Sequence, residues 1–330
     1  ASDVYKRQLL TADIGNTNIV LALLDHGDRV VSQRRIPSGE VLPPAAYEDA
    51  VRQVLAGHDA PEGAVIGSVV PRLTEETARA IRSVTGQEAL VVGPTTPAGL
   101  EIAIEEPETL GVDLLAADAA AAAEYPLPVV VFDFGTATTV TVVDRQRRYR
   151  GGVILAGVKL SLHALFSGTA QLPDIALEPP GKVICSVTED SLQAGAIYGA
   201  AAMADGLLER MEEELGQPCT AVATGGLSGI ITPYCRRRIR HDDSLLLRGL
   251  ADVLDMLEDL AAAGGLPPEL LAPLVKTLGI ALVSRLGTEI CRDAGQGAMA
   301  AVLETAGAFG AVLVSLPLVR AAWELLRSLV

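Results

Sequence analysis

The chain has 330 residues, 49% of them hydrophobic and 20% charged, which is typical of a folded protein with two or more domains. Its formal net charge of −15 argues against a nucleic-acid partner, because no basic surface could easily dominate that field. The 4 cysteines and 4 histidines have neither metal-ligand nor disulfide spacing, so we expect free thiols in a reducing, cytoplasmic compartment.

The first part of the chain mixes short strands with helices. Residues 1–8 fit no element that follows, and we expect them to be a non-native, adapter-like segment. Three short strands are predicted between Leu9 and about Ile36, because apolar runs alternate there with turn signals such as Gly15-Asn16. Helix, strand, helix and strand are then predicted at 45–55, 64–70, 74–83 and 88–92.

The second part repeats this plan after a connection rich in Pro, Gly and Glu at 94–112. An Ala-rich helix is predicted at 114–124, strands at 128–133, 138–144, 149–155 and 220–223, and helices at 158–167 and 189–215. Two copies of one plan indicate an internal duplication with a ligand cleft between the halves. The predicted fold class is therefore α/β, with a first half at 9–112, a second half at 113–250 and a tail at 251–330.

The tail has a different composition. Residues 297–319 form an apolar stretch of about membrane-spanning length, interrupted only by Glu304. Its small residues allow close packing of helices. We expect an all-α hydrophobic tail that contacts a membrane or an assembly, and a buried helical hairpin broken near Pro317 is the alternative.

Two turns have nearly the same sequence, DIGNTNI at 13–19 and DFGTATT at 133–139. Each places an Asp at the end of an apolar run, a Gly two positions later, and then small hydroxyl or amide residues. A phosphate chain needs free backbone N–H donors, small residues that permit close approach, and a carboxylate for the accompanying cation. One such turn alone could be an ordinary hairpin, but two in a duplicated plan predict a nucleotide cleft.

Two further features have two readings each. The strand end Thr224-Gly225-Gly226 would let a nucleoside or phosphate approach bare backbone, but it could equally be an ordinary strand-to-helix turn. Asp113, just before the Ala-rich helix, could deprotonate an attacking hydroxyl or could be the N-cap of that helix. Spacing alone favours the cap.

Taken in order, the segments DIGNTNI, IGSVVPRLT, GVD, DFGTATT, GGVILAG, TEDSLQAGAIYG and ATGG resemble the type III pantothenate kinases, over about residues 9–250. The resemblance implies duplicated actin-like ATPase (ribonuclease H-like) halves in a homodimer. It implies transfer of the ATP γ-phosphate to the 4′-hydroxyl of pantothenate, the first step of coenzyme A biosynthesis. It also implies Mg²⁺ and a monovalent cation, K⁺ or NH₄⁺.

The resemblance also assigns roles to individual residues. Asp113 matches the proton acceptor, and Asp133 matches the ligand of the monovalent cation. The ATP contacts are matched by Asp13, Ile14, Gly15, Asn16, Thr17, Asn18, Ile19, Val20 and Thr136. The pantothenate contacts are matched by Gly111, Val112, Asp113, Leu114 and Thr188.

The acceptor side departs from the family pattern. Leu114 stands where the family typically has Arg. The substrate therefore loses a positively charged hydrogen-bond donor, at about 1.5–3 kcal/mol per hydrogen bond. Ile104, Ala117 and Ala156 are further departures, whereas the phosphate motifs are intact. The alternative function is therefore a non-catalytic nucleotide-binding regulator of the same fold.

The tail has a resemblance of its own. From about residue 251 onward it resembles the C-terminal part of stage III sporulation protein AD, a membrane protein of a sporulation channel complex. We expect an assembly chimera in preference to a natural fusion that anchors the kinase. A third reading, a membrane-assembly component, is supported by residues 251–330 alone.

Overall fold

The first half of the chain builds one mixed sheet with two helices on one face. The structure, a computed structural model, describes residues 8–25, 28–94, 96–169, 172–179, 181–263 and 301–312, with single positions 284, 288, 296, 299, 314 and 315. The first elements are β1 (Leu9–Ile14), β2 (Asn18–Leu24), β3 (Val30–Pro37), α1 (Pro44–Leu55), β4 (Gly63–Ser68), α2 (Pro71–Thr85) and β5 (Leu90–Val92). Pro71 suits the first position of α2, where no N–H is needed, and Gly86 ends that helix in the left-handed conformation.

The second half repeats the plan. After β6 (Glu101–Ile102) and a short 3₁₀ turn, it contains α3 (Val112–Glu124), β7 (Val129–Phe134), β8 (Ala137–Val143), β9 (Arg148–Ala156), α4 (Val158–Gly168), α5 (Thr188–Leu215), β10 (Thr220–Thr224), α6 (Ser228–Ile231), β11 (Ile239–His241) and α7 (Leu245–Ala263). The first sheet has the order β3-β2-β1-β4-β5, and the second has β9-β8-β7-β10-β11 with β6 added beside β9. The expected duplication of α/β halves is confirmed.

α3 lies between the two sheets and contacts strands of both. Nine of its 13 residues are buried, because a helix enclosed on several sides needs small, apolar side chains. α7 packs against α3 so closely that a Cβ atom on Gly249 would collide with the backbone of Ala116. α7 also buries Val253, Leu254 and Leu257 in the same core, so the boundary predicted at residue 250 falls inside this helix.

Most of the tail lies outside the described residues, as do residues 1–7 of the expected adapter-like segment. Residues 301–312 are helical. Within the described part of the chain, none of the helices has the length and apolar character that crossing a membrane requires.

Candidate active site

A cleft of about 610 Å³ opens between the two halves, where β1, β7 and β10 end. The two Asp turns therefore share one hollow, as the duplicated plan predicted. The structure places ten of the predicted site residues in its walls, namely Asp13, Gly15, Asn16, Thr17, Asn18, Val20, Asp113, Leu114, Asp133 and Thr136.

The remaining predicted site residues do not line the cleft. Ile14 and Ile19 are fully buried in the core under α1 and α2, because side chains alternate between the two faces of a strand. Gly111 and Val112 lie beside Asp113 in the chain, and Val112 is buried. Thr188 is the exposed first residue of α5.

The tips of the two Asp turns touch each other. The Oγ1 atoms of Thr17 and Thr136 are 2.7 Å apart and share a hydrogen bond. Gly15 N–H donates to Asn18 O at 3.0 Å and Gly135 N–H to Ala137 O at 3.1 Å, so these two N–H groups are not free for an anion as the sequence suggested. In the described part of the chain, the N–H groups of Asn16, Thr17 and Thr136 donate to no other protein group.

Three carboxylates face the cleft within electrostatic reach of one another. Burial, and then repulsion from Asp113 and Asp133, raises the pKa of Asp13 to about 7, although Arg35 acts to lower it. Burial and repulsion from Asp113 raise the pKa of Asp133 to about 6. A cation bound between them would favour the ionised forms, so this wall is suited to cations.

Asp113 is not the N-cap of its helix, so the reading that spacing favoured is wrong. The N-cap is Gly111, and Asp113 is the second residue of α3. Its Oδ1 accepts the N–H of Leu114 at 2.9 Å. A Cβ atom on Gly111 would collide with that oxygen, so glycine leaves room for the carboxylate to turn back over the helix end. Burial raises the pKa of Asp113, which makes it a stronger proton acceptor.

The strand end at Thr224, Gly225 and Gly226 forms the third wall. Gly225 has φ +87°, a conformation that favours glycine, and a Cβ atom there would collide with Oδ1 of Asp133 and the backbone of Phe134. Gly225 is therefore required both by its own backbone and by the approach of Asp133.

Comparison with known proteins identifies the family. Residues 9–210 match the family model described as type III pantothenate kinase. The chain is 36% identical to the type III pantothenate kinase of Exiguobacterium sp. over 246 residues, covering 73% of this chain and 96% of that protein. It is 37% identical to that of Rhizorhabdus wittichii over 257 residues, covering 76% and 98%. The chain belongs to the type III pantothenate kinase family.

Other similarities are weaker. The activator of 2-hydroxyisocaproyl-CoA dehydratase from Clostridium difficile, solved with bound ADPNP, is 12% identical with a TM-score of 0.45, covering 79% of this chain and 98% of that one. A ROK family glucokinase from Streptomyces griseus is 15% identical with a TM-score of 0.39, covering 76% and 98%. Residues 274–329 match the stage III sporulation protein AC/AD family.

Three basic residues in the cleft of this family member were missed by the sequence reasoning. Arg35 comes from β3, and Lys159 and His163 stand one helical turn apart on α4. Lys159 and His163 line the same cleft as Leu114, the residue that replaces the family's Arg. For Arg35 the sequence contained a usable signal, because alternation along β3 places it on the opposite face from Arg34. The positions of Lys159 and His163 in the cleft follow only from the fold.

Within the described residues, no group of three or more His, Cys, Asp or Glu side chains is arranged to hold a metal ion. A cation in this cleft would therefore need further oxygen ligands, and phosphate oxygens and backbone carbonyls are suitable.

Proposed function

We propose that this chain transfers the γ-phosphate of ATP to the 4′-hydroxyl of pantothenate, the first step of coenzyme A biosynthesis, with Asp113 as proton acceptor. The observation that carries the proposal is that Asp113 faces the same cleft as both Asp turns. Membership of the type III pantothenate kinase family supports the choice of acceptor.

In the proposed reaction the hydroxyl oxygen of pantothenate attacks the γ-phosphorus of ATP. The bond between that phosphorus and the β,γ-bridging oxygen breaks, and ADP leaves. The hydroxyl proton passes to the carboxylate of Asp113, whose raised pKa fits that task. The phosphate chain would lie against the turn residues that line the cleft, which are Asp13, Gly15, Asn16, Thr17, Asn18, Val20 and Thr136.

Asp133 is the proposed ligand of a monovalent cation, K⁺ or NH₄⁺, and Mg²⁺ would accompany the nucleotide. Burial and repulsion from Asp113 raise the pKa of Asp133, and no basic group among the described residues acts to lower it, so a bound cation would favour the ionised carboxylate. Such cations supply positive charge where the transferred phosphoryl group is negative. Asp133→Asn should remove the stimulation of turnover by K⁺; an unchanged response to K⁺ would rule out this ligand.

The proposed assembly is a homodimer. α4 buries only Val158 of its 11 residues although much of it is apolar, and Leu160 and Phe166 are 49% and 41% exposed. Ile184 is 88% exposed and lies four residues before Thr188, a predicted pantothenate contact that does not line its own cleft. A second copy of the chain that covers α4 and Ile184 would explain why these apolar side chains are exposed. It would also explain the position of Thr188 if that residue contacts pantothenate in the partner's cleft. Sedimentation should give twice the chain mass, and Ile184→Asp should give monomers.

A non-catalytic nucleotide-binding regulator is the second candidate, and Leu114 is the observation that favours it. The discriminating assay measures pantothenate-dependent ADP release with Mg²⁺ and K⁺ present. Pantothenate-dependent turnover supports the kinase, whereas ATP binding without turnover supports the regulator.

We place the kinase part in the cytoplasm and propose that any membrane contact of residues 297–319 is separate from it. The match of residues 274–329 to the stage III sporulation protein AC/AD family supports a role for the tail in sporulation. A chain ending at Ala263 keeps α7 whole. It should retain kinase activity and lose any sedimentation with membranes that the full chain shows.

A further inference from the structure

Arg35 is a basic residue in the wall of the cleft, near the carboxylate of Asp13. Among the described residues its guanidinium forms neither a hydrogen bond nor an ion pair. The other basic groups of the cleft, Lys159 and His163, belong to α4 in the second half. Among the described residues that line the cleft, Arg35 is thus the basic group that comes from the first half.

The register of the first sheet directs Arg35 towards the first Asp turn. Asp13 pairs with Val20 across β1 and β2, and Val20 pairs with Arg35 across β2 and β3. Residues directly opposite each other in antiparallel strands project from the same face of the sheet. Asp13, Val20 and Arg35 therefore form one row, and all of them line the cleft.

The guanidinium group of Arg35 also reaches the other half of the molecule. Its Nη1 lies 3.7 Å from the position that a Cβ atom would occupy on Gly226. Gly226 belongs to the strand end after β10, so the guanidinium stands between the first Asp turn and the bare backbone of the second half. A phosphate group that enters between these walls meets a planar fork of unused N–H donors, which matches phosphate oxygens in two-point contacts.

We propose that Arg35 binds the terminal phosphate groups of the nucleotide and holds them between the first Asp turn and Gly226. The proposal rests on the nucleotide-binding part of the proposed function and not on the identity of the acceptor. When the phosphates are bound, the guanidinium neutralises charge that the carboxylate of Asp13 would otherwise repel.

The test measures dissociation constants of the full chain for ATP, ADP and AMP, with Mg²⁺, by titration calorimetry. Arg35→Gln should weaken ATP binding by about tenfold or more and leave AMP binding nearly unchanged, because AMP lacks the terminal phosphates. Arg35→Lys should recover part of the loss, since it keeps the charge but not the fork.

Arg34→Gln is the matched control. Arg34 is the exposed neighbour of Arg35 on the same strand and does not line the cleft, so its ATP affinity should equal that of the wild type. Equal weakening of ATP and AMP by Arg35→Gln, or unchanged ATP binding, would overturn the proposal. Failure of the wild type to phosphorylate pantothenate would refute the acceptor alone, because these binding measurements do not involve pantothenate.

Discussion

The turn after β1 and the turn after β7 are built alike, but the strands beside them are not. In the first sheet Asp13 pairs with Val20, which pairs with Arg35. In the second sheet the equivalent row is Asp133, Thr139 and Ile154. The third strand of the first sheet thus places the basic side chain of Arg35 near its turn. The matching position of the second sheet has Ile154, an apolar side chain that is 76% exposed.

This difference changes what each turn can bind. The guanidinium of Arg35 acts against the rise in the pKa of Asp13, whereas no basic group among the residues that the structure describes lowers the pKa of Asp133. A carboxylate with a basic neighbour can face an anion, and a carboxylate without one is better suited to a cation. The two turns have the same build, and the residues on the neighbouring strands support the proposed division between them: phosphate binding at the first turn and cation binding at the second.

The largest effect on turnover is expected at Asp113, which belongs to neither turn. Asp113→Asn should lower pantothenate-dependent ADP release by about 10²–10⁴-fold, because the hydroxyl would lose the proposed proton acceptor. ATP affinity should change little, since both turns remain. Asp59→Asn, an exposed acid outside the cleft, is the control. If Asp113→Asn abolished ATP binding instead, binding and chemistry would not be separable in this way.

The second prediction compares two adjacent glycines. Gly225→Ala should destabilise the fold by about 1–3 kcal/mol and impair the response to K⁺, because its φ is positive and its Cβ would displace Asp133. At Gly226 the same Cβ would make only ordinary contact with Arg35. Gly226→Ala should therefore change thermal stability much less and act on ATP affinity. Equal melting temperatures for the two variants would contradict the assigned crowding around Asp133.

The third prediction gives the second half the charge pattern of the first. Ile154→Arg places a cation at the position equivalent to Arg35, in the row of Asp133. It should lower the pKa of Asp133 and reduce the affinity for K⁺ severalfold, as judged by the K⁺ dependence of turnover. Ile154→Gln, polar but uncharged, separates the effect of the charge from the effect of losing an exposed apolar side chain. If both variants respond alike to K⁺, charge is not the cause.

The sequence predicted the duplicated plan because its signals are local: apolar runs, Gly-bearing turns and an Asp at each strand end. It did not predict Arg35 in the site, since that role depends on strand register and on the second half lying opposite. Ile14 and Ile19 were assigned by continuity of a motif, although they project into the core. The boundary predicted at residue 250 falls inside α7. The sequence did not indicate that the apolar residues of this helix pack against the first half.

The smallest effect on turnover is expected from Asp118, a carboxylate of α3 outside both turns. It is fully buried, its Oδ1 accepts the hydroxyl of Thr141 at 2.9 Å, and its Oδ2 has no partner among the described residues. Burial raises the pKa of Asp118 to about 8. At neutral pH it is therefore mainly protonated, and Asp118→Asn should leave turnover nearly unchanged while altering stability.

The sign of that stability change follows from proton binding. Between about pH 4 and pH 8 the unfolded state ionises Asp118 while the folded state keeps it protonated, so this residue makes the protein less stable as pH rises. Asp118→Asn removes this pH-dependent loss in the free energy of unfolding, which is up to about 1.4 kcal/mol per pH unit in that window. Its advantage over the wild type in chemical denaturation should grow from pH 5 to pH 8 and then level off. An advantage independent of pH would contradict this account, because it would mean that Asp118 has the same charge in the folded and unfolded states.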